Sequence, residues 1–166
     1  MAGLRIEKLA LHHDVSSFDC GEPALNRYIL SFALQNQAAN AAQSYVALAG
    51  DDVAGFYSMV VGDIEFDDSP ERMKKGLARH PVPVIILARL GTDRRWQGKG
   101  IGAGLLKDAI LRTLRVADIA GARALVVHAK NEGARDFYLR LGFVAGFRNP
   151  MHLYCLTKDL RQFSST

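Results

Sequence analysis

The chain has 166 residues, of which 49% are hydrophobic and 23% are charged, as is typical of one folded globular domain and not of a disordered or fibrous chain. The formal net charge of +4 is only a weak indication of a polyanionic partner. Charges at Arg5, Glu7 and Lys8 interrupt the apolar segment that an export signal would need. The longest charge-free apolar stretch, residues 81–88, is far shorter than the roughly 20 residues of a membrane helix. We therefore expect a cytoplasmic protein without membrane contact.

The first third of the chain predicts a strand, a helix and a hairpin. Residues 4–9 alternate apolar and polar side chains, which indicates a strand. Residues 21–42 have apolar side chains at helical spacing and Pro23 in the first turn, and the helix is expected to break near residues 36–40. Two β-rich runs within residues 44–64 flank a Gly-Asp-Asp turn, which predicts an antiparallel hairpin.

The middle of the chain combines a charged segment with an apolar one. Residues 63–83 contain four carboxylates followed by Pro70 and a basic group, which predicts a solvated loop with a short helix. An active-site flank is the alternative, because long loops in compact domains are often functional. Residues 83–92, PVIILARLGT, are too continuously apolar for a half-exposed strand and predict a central strand covered on both faces.

The last third of the chain alternates helices and strands, which indicates an α/β fold. Residues 103–121 predict a helix that ends at a C-capping glycine, and residues 122–129 predict a buried strand. Residues 131–142 predict a helix of about three turns with an asparagine N-cap. Two β-rich pieces, residues 143–147 and 151–158, are expected to close the chain.

A glycine-rich segment, RRWQGKGIG at residues 94–102, lies between the predicted central strand and the following helix. Such a position favours a phosphate-binding turn, because a helix N-terminus attracts anions. A nucleoside triphosphatase P-loop requires a serine or threonine after its lysine, whereas Gly100 follows Lys99 here. That class of protein is therefore excluded.

A dinucleotide-binding turn is the second candidate. Gly98, Gly100 and Ala103 fill the G-x-G-x-x-G/A pattern. This fold also requires an acidic residue at the end of the next strand, about 20 positions later. Asp118 has that offset but falls inside the predicted helix, and the next strand ends in His128. Too little sequence remains for the later strands of such a fold, so the dinucleotide interpretation is disfavoured.

The third pattern is Q/R-x-x-G-x-G/A, which Gln97, Gly100 and Gly102 fill. Glycines allow successive backbone N–H groups to turn towards a ligand, and the following helix adds its positive end, so a pyrophosphate fits better than an empty turn. The whole segment, residues 87–106, closely resembles the central motif of the GNAT superfamily of acyl-CoA-dependent N-acyltransferases. The resemblance implies acetyl-CoA as cofactor and one GNAT domain over residues 1–166, with a mixed central sheet of about six or seven strands flanked by helices on both faces.

A second segment, NEGARDFYLRLGF at residues 131–143, resembles the GNAT helix that lines the cofactor arm. The resemblance places Tyr138 at the acetyl thioester as the catalytic residue. Taken alone, Tyr138 is better interpreted as a half-buried aromatic whose hydroxyl bonds to a backbone group, and the matching glycine-rich turn reverses that preference. The cofactor-binding residues that the two resemblances imply are Leu90, Gly91, Thr92, Arg95, Gln97, Gly98, Lys99, Gly100, Ile101, Gly102, Asn131, Ala134 and Phe137.

Further segments resemble one GNAT subgroup, the toxins of bacterial toxin–antitoxin modules. They are an F-x-C-G-x-x-x-L pattern that ends at Leu25, the hairpin sequence at residues 55–58, and residues 86–93 and 115–121. This resemblance implies acetylation of the α-amino group of aminoacyl-tRNA, which stops translation. It also implies a ribbon-helix-helix antitoxin, contact with promoter DNA only through that antitoxin, and a possible homodimer.

Basic residues near the motif support a tRNA acceptor, since a phosphate backbone is a polyanion. The residues we expect to bind tRNA are Arg89, Arg94, Lys74, Lys75 and Arg79, and together with neighbouring cations they could surround one mouth of the site. The alternative is that these cations bind only the phosphates of coenzyme A or solvate the loop.

The expected chemistry needs neither a strong base nor a metal. The α-amine of an aminoacyl ester is largely unprotonated near neutral pH, and the five histidines show no catalytic spacing. Tyr138, with a reference pKa of about 10, could protonate a departing thiolate whose conjugate acid has a pKa near 8.5. Cys20 and Cys155 are expected to be free thiols. The remaining alternatives are acetylation of a small amine, a polyamine or a protein N-terminus, and a non-catalytic acyl-CoA-binding regulator.

Overall fold

The computed structural model describes residues 4–146 and 148–164, with side chains up to residue 162. Seven strands are hydrogen-bonded in the order β1-β2-β3-β4-β5-β7-β6, which confirms the predicted mixed sheet. Strands β4 and β5 pair in parallel, whereas the pairs β1–β2, β2–β3, β5–β7 and β6–β7 are antiparallel. The strands are β1 (Leu4–Lys8), β2 (Gln43–Ala49), β3 (Asp52–Ile64), β4 (Val82–Thr92), β5 (Ala124–His128), β6 (Val144–Ala145) and β7 (His152–Leu156). Phe147, the last residue of one predicted β-rich piece, lies outside the described residues.

The described residues also form six α-helices. They are α1 (Pro23–Arg27), α2 (Ala33–Ala38), α3 (Glu71–Lys74), α4 (Ile101–Ala120), α5 (Glu132–Arg140) and α6 (Thr157–Ser164). Among the residues that the structure describes, none of these helices has the length and apolar character needed to cross a membrane.

Chain contacts divide the protein into two compact units. The first unit comprises residues 1–60 and 88–109, and the second comprises residues 61–87 and 110–166. The core of the first unit contains Phe18, Tyr28 and Phe56, together with apolar residues of β2 and β3. The core of the second unit contains Met73 and Tyr154 with apolar residues of β4 and β5. A single domain over the whole chain stays a prediction.

The first helical region has the predicted start and end but a different interior. Pro23 occupies the first turn, and the region ends at Ala38, shortly before Asn40 adopts a left-handed backbone with φ of 56°. Both features agree with the sequence-based prediction. Its middle is a π-helical segment, Tyr28–Phe32, which the apolar spacing did not indicate. Such segments are frequent at functional sites.

Strand β4 is the fourth of seven strands, so its central position is confirmed. The prediction that both faces are covered holds only in part, because Pro83 and Ala88 are exposed and Arg89 is half-buried. Apolar residue types do not record which neighbour covers each position, which is why the apolar run overestimated burial. The short helix in the charged loop is confirmed as α3, and its Met73 is fully buried.

The two β-rich pieces do contain strands, β6 and β7, but the prediction that they close the chain is wrong, because α6 follows β7. This helix has only eight residues, and Leu160 is its one fully buried residue among those with described side chains. Tertiary contacts hold its start: the Thr157 backbone N–H donates to the Arg123 carbonyl at 2.9 Å, and the Thr157 hydroxyl donates to the Ala122 carbonyl at 2.6 Å.

Candidate functional site

A buried aspartate organises the turn before helix α4. Asp93 is 2% exposed and caps a 3₁₀ turn, Arg94–Trp96. Its carboxylate accepts hydrogen bonds from the Arg95 backbone N–H at 2.9 Å, from Arg95 Nε at 3.0 Å and from the Asp19 N–H at 3.1 Å. Burial alone would raise the pKa of Asp93, but these hydrogen bonds outweigh it and lower the pKa. Sequence analysis missed Asp93, although an aspartate before a helical turn is a typical N-cap.

Replacement of Asp93 by alanine is expected to destabilise the protein by about 2 kcal/mol, because three N–H donors lose a charged acceptor. The pKa of Asp93 is lower in the folded state than in the unfolded state. The carboxylate therefore contributes its full stabilisation at pH values above the unfolded-state pKa, and this contribution is lost as the pH falls through the folded-state pKa. The measurement is thermal unfolding of wild type and Asp93→Ala at pH 7 and near pH 3. Asp51→Ala, in the exposed turn between β2 and β3, is the control. An equal melting temperature for Asp93→Ala at pH 7 would contradict the assigned role.

The glycine-rich turn has the backbone of an anion-binding site. Gly98 and Gly100 adopt φ values of +78° and +84°, which side-chain-bearing residues rarely tolerate, and a Cβ at either position would meet no atom within 4 Å. Helix α4 starts immediately afterwards at Ile101 and is 20 residues long. The first N–H groups of any α-helix have no acceptor within the helix. Open space in front of such donors fits a pyrophosphate.

Trp96 supplies a second indication that a ligand completes this site. Its indole N–H is buried and has no hydrogen-bond partner among the described residues, and Lys99 Nζ lies 5.2 Å from the centroid of its ring. A buried donor without an acceptor costs about 1–3 kcal/mol, so an acceptor on a bound ligand would stabilise the turn. Trp96 was not among the site residues expected from sequence.

The side chain of Gln97 stabilises the turn through hydrogen bonds to backbone carbonyls. Its amide donates to the carbonyl of Thr92 at 3.0 Å and to that of Cys20 at 3.2 Å. The expected ligand contact of Gln97 would therefore have to come from its backbone or its remaining amide oxygen. Arg95 is likewise engaged, through its hydrogen bond to Asp93.

The F-x-C-G segment packs against the same turn. The Arg94 backbone N–H donates to the Asp19 carbonyl at 2.8 Å. Gly91 approaches Cys20 so closely that a Cβ there would lie 3.2 Å from Cys20 Sγ. The absence of a side chain at Gly91 therefore permits the first helices to dock on β4. This packing gives a physical reason for the presence of both sequence patterns in one chain.

Helix α5, in the second unit, has the predicted N-cap. Asn131 Oδ1 accepts a hydrogen bond from the Ala134 N–H at 2.8 Å. Tyr138 lies 7% exposed, and its ring contacts those of Phe137 and Phe143 at centroid distances of 5.2 and 5.6 Å. Among the described residues, the Tyr138 hydroxyl makes no hydrogen bond. This observation argues against a purely structural hydroxyl bonded to the backbone.

Burial raises the pKa of Tyr138 to about 12. The phenol therefore keeps its proton throughout the neutral range, as a proton donor must. The argument from sequence used the free-tyrosine pKa near 10 and thus overstated the acidity of the group. The correction follows from the aromatic packing around the ring, which disfavours the charged phenolate.

The cations expected to bind tRNA are distributed over both units. Arg89 and Arg94 belong to the first unit, whereas Lys74, Lys75 and Arg79 belong to the second. Their arrangement around one mouth stays a prediction. Three of the five have carboxylate partners: Arg94 with Asp19 at 3.8 Å, Lys74 with Glu71 at 3.1 Å, and Arg79 with Asp67 at 2.7 Å.

Histidines form two clusters outside the expected site. His128 and His152, paired residues of β5 and β7, stack with their centroids 3.9 Å apart. Burial, followed by the neighbouring His152, lowers the pKa of His128. Near β1, His13 accepts from the Ala10 N–H through Nδ1 and pairs with Glu7 through Nε2 at 2.7 Å. His12 Nε2 lies 3.9 Å from the same Glu7 carboxylate, and the ligand atoms of these three side chains lie within 4.8 Å of one another.

The α/β fold, the glycine-rich turn before α4 and the capped helix α5 define an acyl-CoA-dependent N-acyltransferase. The chain belongs to the GNAT acetyltransferase family: the family model "Acetyltransferase (GNAT) domain" matches residues 40–145. The tRNA-acetylating toxin of Mycobacterium tuberculosis is 41% identical over 148 residues, which represent 89% of each chain.

Solved structures of a second protein, AtaT, have the same fold. AtaT complexed with acetyl-methionyl-tRNAfMet superimposes with a TM-score of 0.89 at 29% identity, over 97% of this chain and 99% of that chain. A mutant AtaT toxin bound to the C-terminus of the antitoxin AtaR gives 0.84 at 28% identity, over 98% of both chains. The AtaT–AtaR complex bound to DNA gives 0.78 at 28% identity, over 96% of this chain and 99% of that chain.

Proposed function

We propose that this acetyltransferase is a toxin that transfers the acetyl group of acetyl-CoA to the α-amino group of aminoacyl-tRNA and thereby blocks translation. The observation that carries the proposal is the 41% identity, over 89% of the chain, to a toxin named for tRNA acetylation. Its acceptor is a cytoplasmic molecule, so the protein acts in the cytoplasm.

The glycine-rich turn is the proposed cofactor-binding element. The backbone N–H groups from Gly98 to Gly102 hold the pyrophosphate, with Lys99 as a nearby cation. Leu90 to Thr92 and the α5 residues Asn131, Ala134 and Phe137 bind the remainder of the molecule. Bound acetyl-CoA supplies an acetyl group that is activated as a thioester.

Tyr138 is the proposed catalytic residue. Its hydroxyl holds a proton at neutral pH and donates it to the sulfur that leaves. The acceptor amine needs no strong base, because the amine of an aminoacyl ester is less basic than a lysine and is largely unprotonated near pH 7.

The proposed protein partner is an antitoxin. The neighbour AtaT is bound to the C-terminus of the antitoxin AtaR in one structure, and the AtaT–AtaR complex is bound to DNA in another. By analogy, this chain pairs with a ribbon-helix-helix antitoxin and reaches promoter DNA only through it. Homodimer formation stays a prediction.

The test is acetylation by purified protein with radiolabelled acetyl-CoA and a complete set of aminoacyl-tRNAs. Label is expected on the aminoacyl group of at least one charged tRNA and not on deacylated tRNA. Spermidine and a peptide with a free N-terminus are parallel acceptors. Label on either of these alone would replace the proposed substrate, and acetyl-CoA binding without any acceptor would favour a non-catalytic regulator.

Replacement of Arg89 by glutamine is expected to weaken tRNA binding and to reduce the slope of log affinity against log salt by about one unit, because one phosphate contact is lost. Acetyl-CoA affinity should stay within about twofold. The measurement is filter binding of tRNA at several salt concentrations, and the control is Arg5→Gln, whose guanidinium donates to Gly50 in the turn between β2 and β3. Loss of coenzyme affinity with intact tRNA binding would assign Arg89 to the cofactor instead.

A further inference from the structure

Arg89 differs from the paired cations near it. Its guanidinium lies 3.6 Å from the centroid of the Tyr28 ring, and among the described residues it forms no ion pair with a carboxylate. By contrast, Arg94 pairs with Asp19 and Arg95 with Asp93 in the same unit. A ring attracts a cation without neutralising its charge. Arg89 is thus held in place while its full charge remains available.

Tyr28 is itself held firmly. It is 5% exposed, its ring stacks on Phe56 at 6.4 Å, and its hydroxyl accepts a hydrogen bond from Asn36 Nδ2 at 3.3 Å. It is the first residue of the π-helical segment Tyr28–Phe32. Phe56 is fully buried and also contacts Phe18. The ring is therefore a rigid support built from the core of the first unit.

A guanidinium supported in this way suits phosphate recognition. Its N–H donors lie at the edge of a planar group, where they match two phosphate oxygens, and less rotamer entropy is lost on binding when the group is already ordered. Arg89 lies in β4, only two residues before Gly91, where the first helices dock on the strand. Arg89 therefore lies close in sequence to the cofactor-binding turn.

We propose that Tyr28 is a positioning residue that presents the guanidinium of Arg89 to a phosphodiester of the acceptor RNA. The proposal rests on the proposed function and adds the residue that orders its phosphate contact. Tyr28 touches no substrate in this arrangement and acts through Arg89.

The experiment compares Tyr28→Leu and Tyr28→Phe with wild type in steady-state acetylation of aminoacyl-tRNA. Leucine removes the aromatic face, and we expect the KM for aminoacyl-tRNA to rise roughly threefold to tenfold while kcat and the KM for acetyl-CoA change less than about twofold. The salt dependence of tRNA binding should flatten. Phenylalanine keeps the face and should restore wild-type values within about twofold.

Tyr45→Leu is the matched control for loss of a buried ring, because Tyr45 is 8% exposed and its ring stacks on that of Tyr57 with the centroids 5.1 Å apart. Thermal unfolding of both leucine variants measures the common loss of packing. If Tyr28→Leu and Tyr45→Leu lower kcat alike and leave the KM for aminoacyl-tRNA unchanged, Tyr28 is only a core residue and the proposal is overturned.

A double variant tests whether the ring acts through the cation. Arg89→Gln combined with Tyr28→Leu should show the same KM for aminoacyl-tRNA as Arg89→Gln alone, because the Tyr28 ring acts only through the guanidinium. If the double variant instead raised the KM by the product of the two single-variant changes, the proposal would be overturned. If wild type acetylates no aminoacyl-tRNA, the proposed function fails, and binding of deacylated tRNA to the same variants still decides the role of Tyr28.

Discussion

Tyr138→Phe is expected to reduce the rate of acetyl transfer by about 100-fold to 10,000-fold, the usual contribution of a general acid. Phenylalanine keeps the packing against Phe137 and Phe143 and removes only the hydroxyl, so folding and acetyl-CoA affinity should survive. The measurement is single-turnover acetylation of aminoacyl-tRNA at matched cofactor saturation. In cells, induction of wild type should arrest growth and induction of the variant should not.

Tyr154→Phe is the matched control for this prediction. Tyr154 is also a buried tyrosine of the second unit, and burial raises the pKa of its hydroxyl as well. Loss of that hydroxyl should change the rate less than about threefold. A similarly small loss in Tyr138→Phe would mean that the hydroxyl of Tyr138 is a bystander and that the leaving sulfur takes its proton from water.

Gly100→Val is expected to abolish measurable acetyl-CoA binding, a loss of at least roughly 100-fold in affinity. Two effects combine: a β-branched residue at φ of +84° is strained by about 1–3 kcal/mol, and its side chain enters the space that the pyrophosphate needs. Isothermal titration calorimetry with acetyl-CoA, together with circular dichroism to establish folding, measures the result.

Gly121→Val is the control that separates the effect of backbone strain from the effect of a side chain in the pyrophosphate space. Gly121 follows the other end of the same helix, its φ is +89°, and a Cβ there also meets no atom within 4 Å. The stability loss should therefore be similar in both variants, whereas acetyl-CoA affinity should fall only in Gly100→Val. Unchanged affinity in a folded Gly100→Val protein would show that the turn does not hold the cofactor.

Elements with local signals were predicted well from sequence. The glycine-rich turn depends on glycines that adopt positive φ directly before a helix, and α5 depends on Asn131, whose side chain accepts a hydrogen bond from the N–H three residues later. The hairpin and the break after α2 depend on turn residues. In each case the residues that carry the signal are close neighbours in the chain, so the pattern and its physical cause coincide.

Features built from distant residues were missed or misjudged. The bond from Asp19 to Asp93 spans 74 positions, and that from Gln97 to Cys20 spans 77. Helix α6 is held by contacts with residues that lie about 35 positions earlier. No local pattern marks such partners, because a side chain that bonds at long range looks the same in sequence as one that faces solvent.

The amino-acid sequence by itself determined the family, the glycine-rich turn before α4 and the candidate catalytic tyrosine, because residue identity and short-range backbone preference are sufficient for them. Only the tertiary structure decided which cations lack a carboxylate partner and how far the pKa of Tyr138 is raised. Among the described residues Arg89 has no carboxylate partner, and its guanidinium instead lies over the ring of Tyr28, which belongs to another element. Tyr138 has a pKa of about 12 because folding buries its ring. Charge pairing and desolvation are properties of the surroundings, which form only when the chain folds.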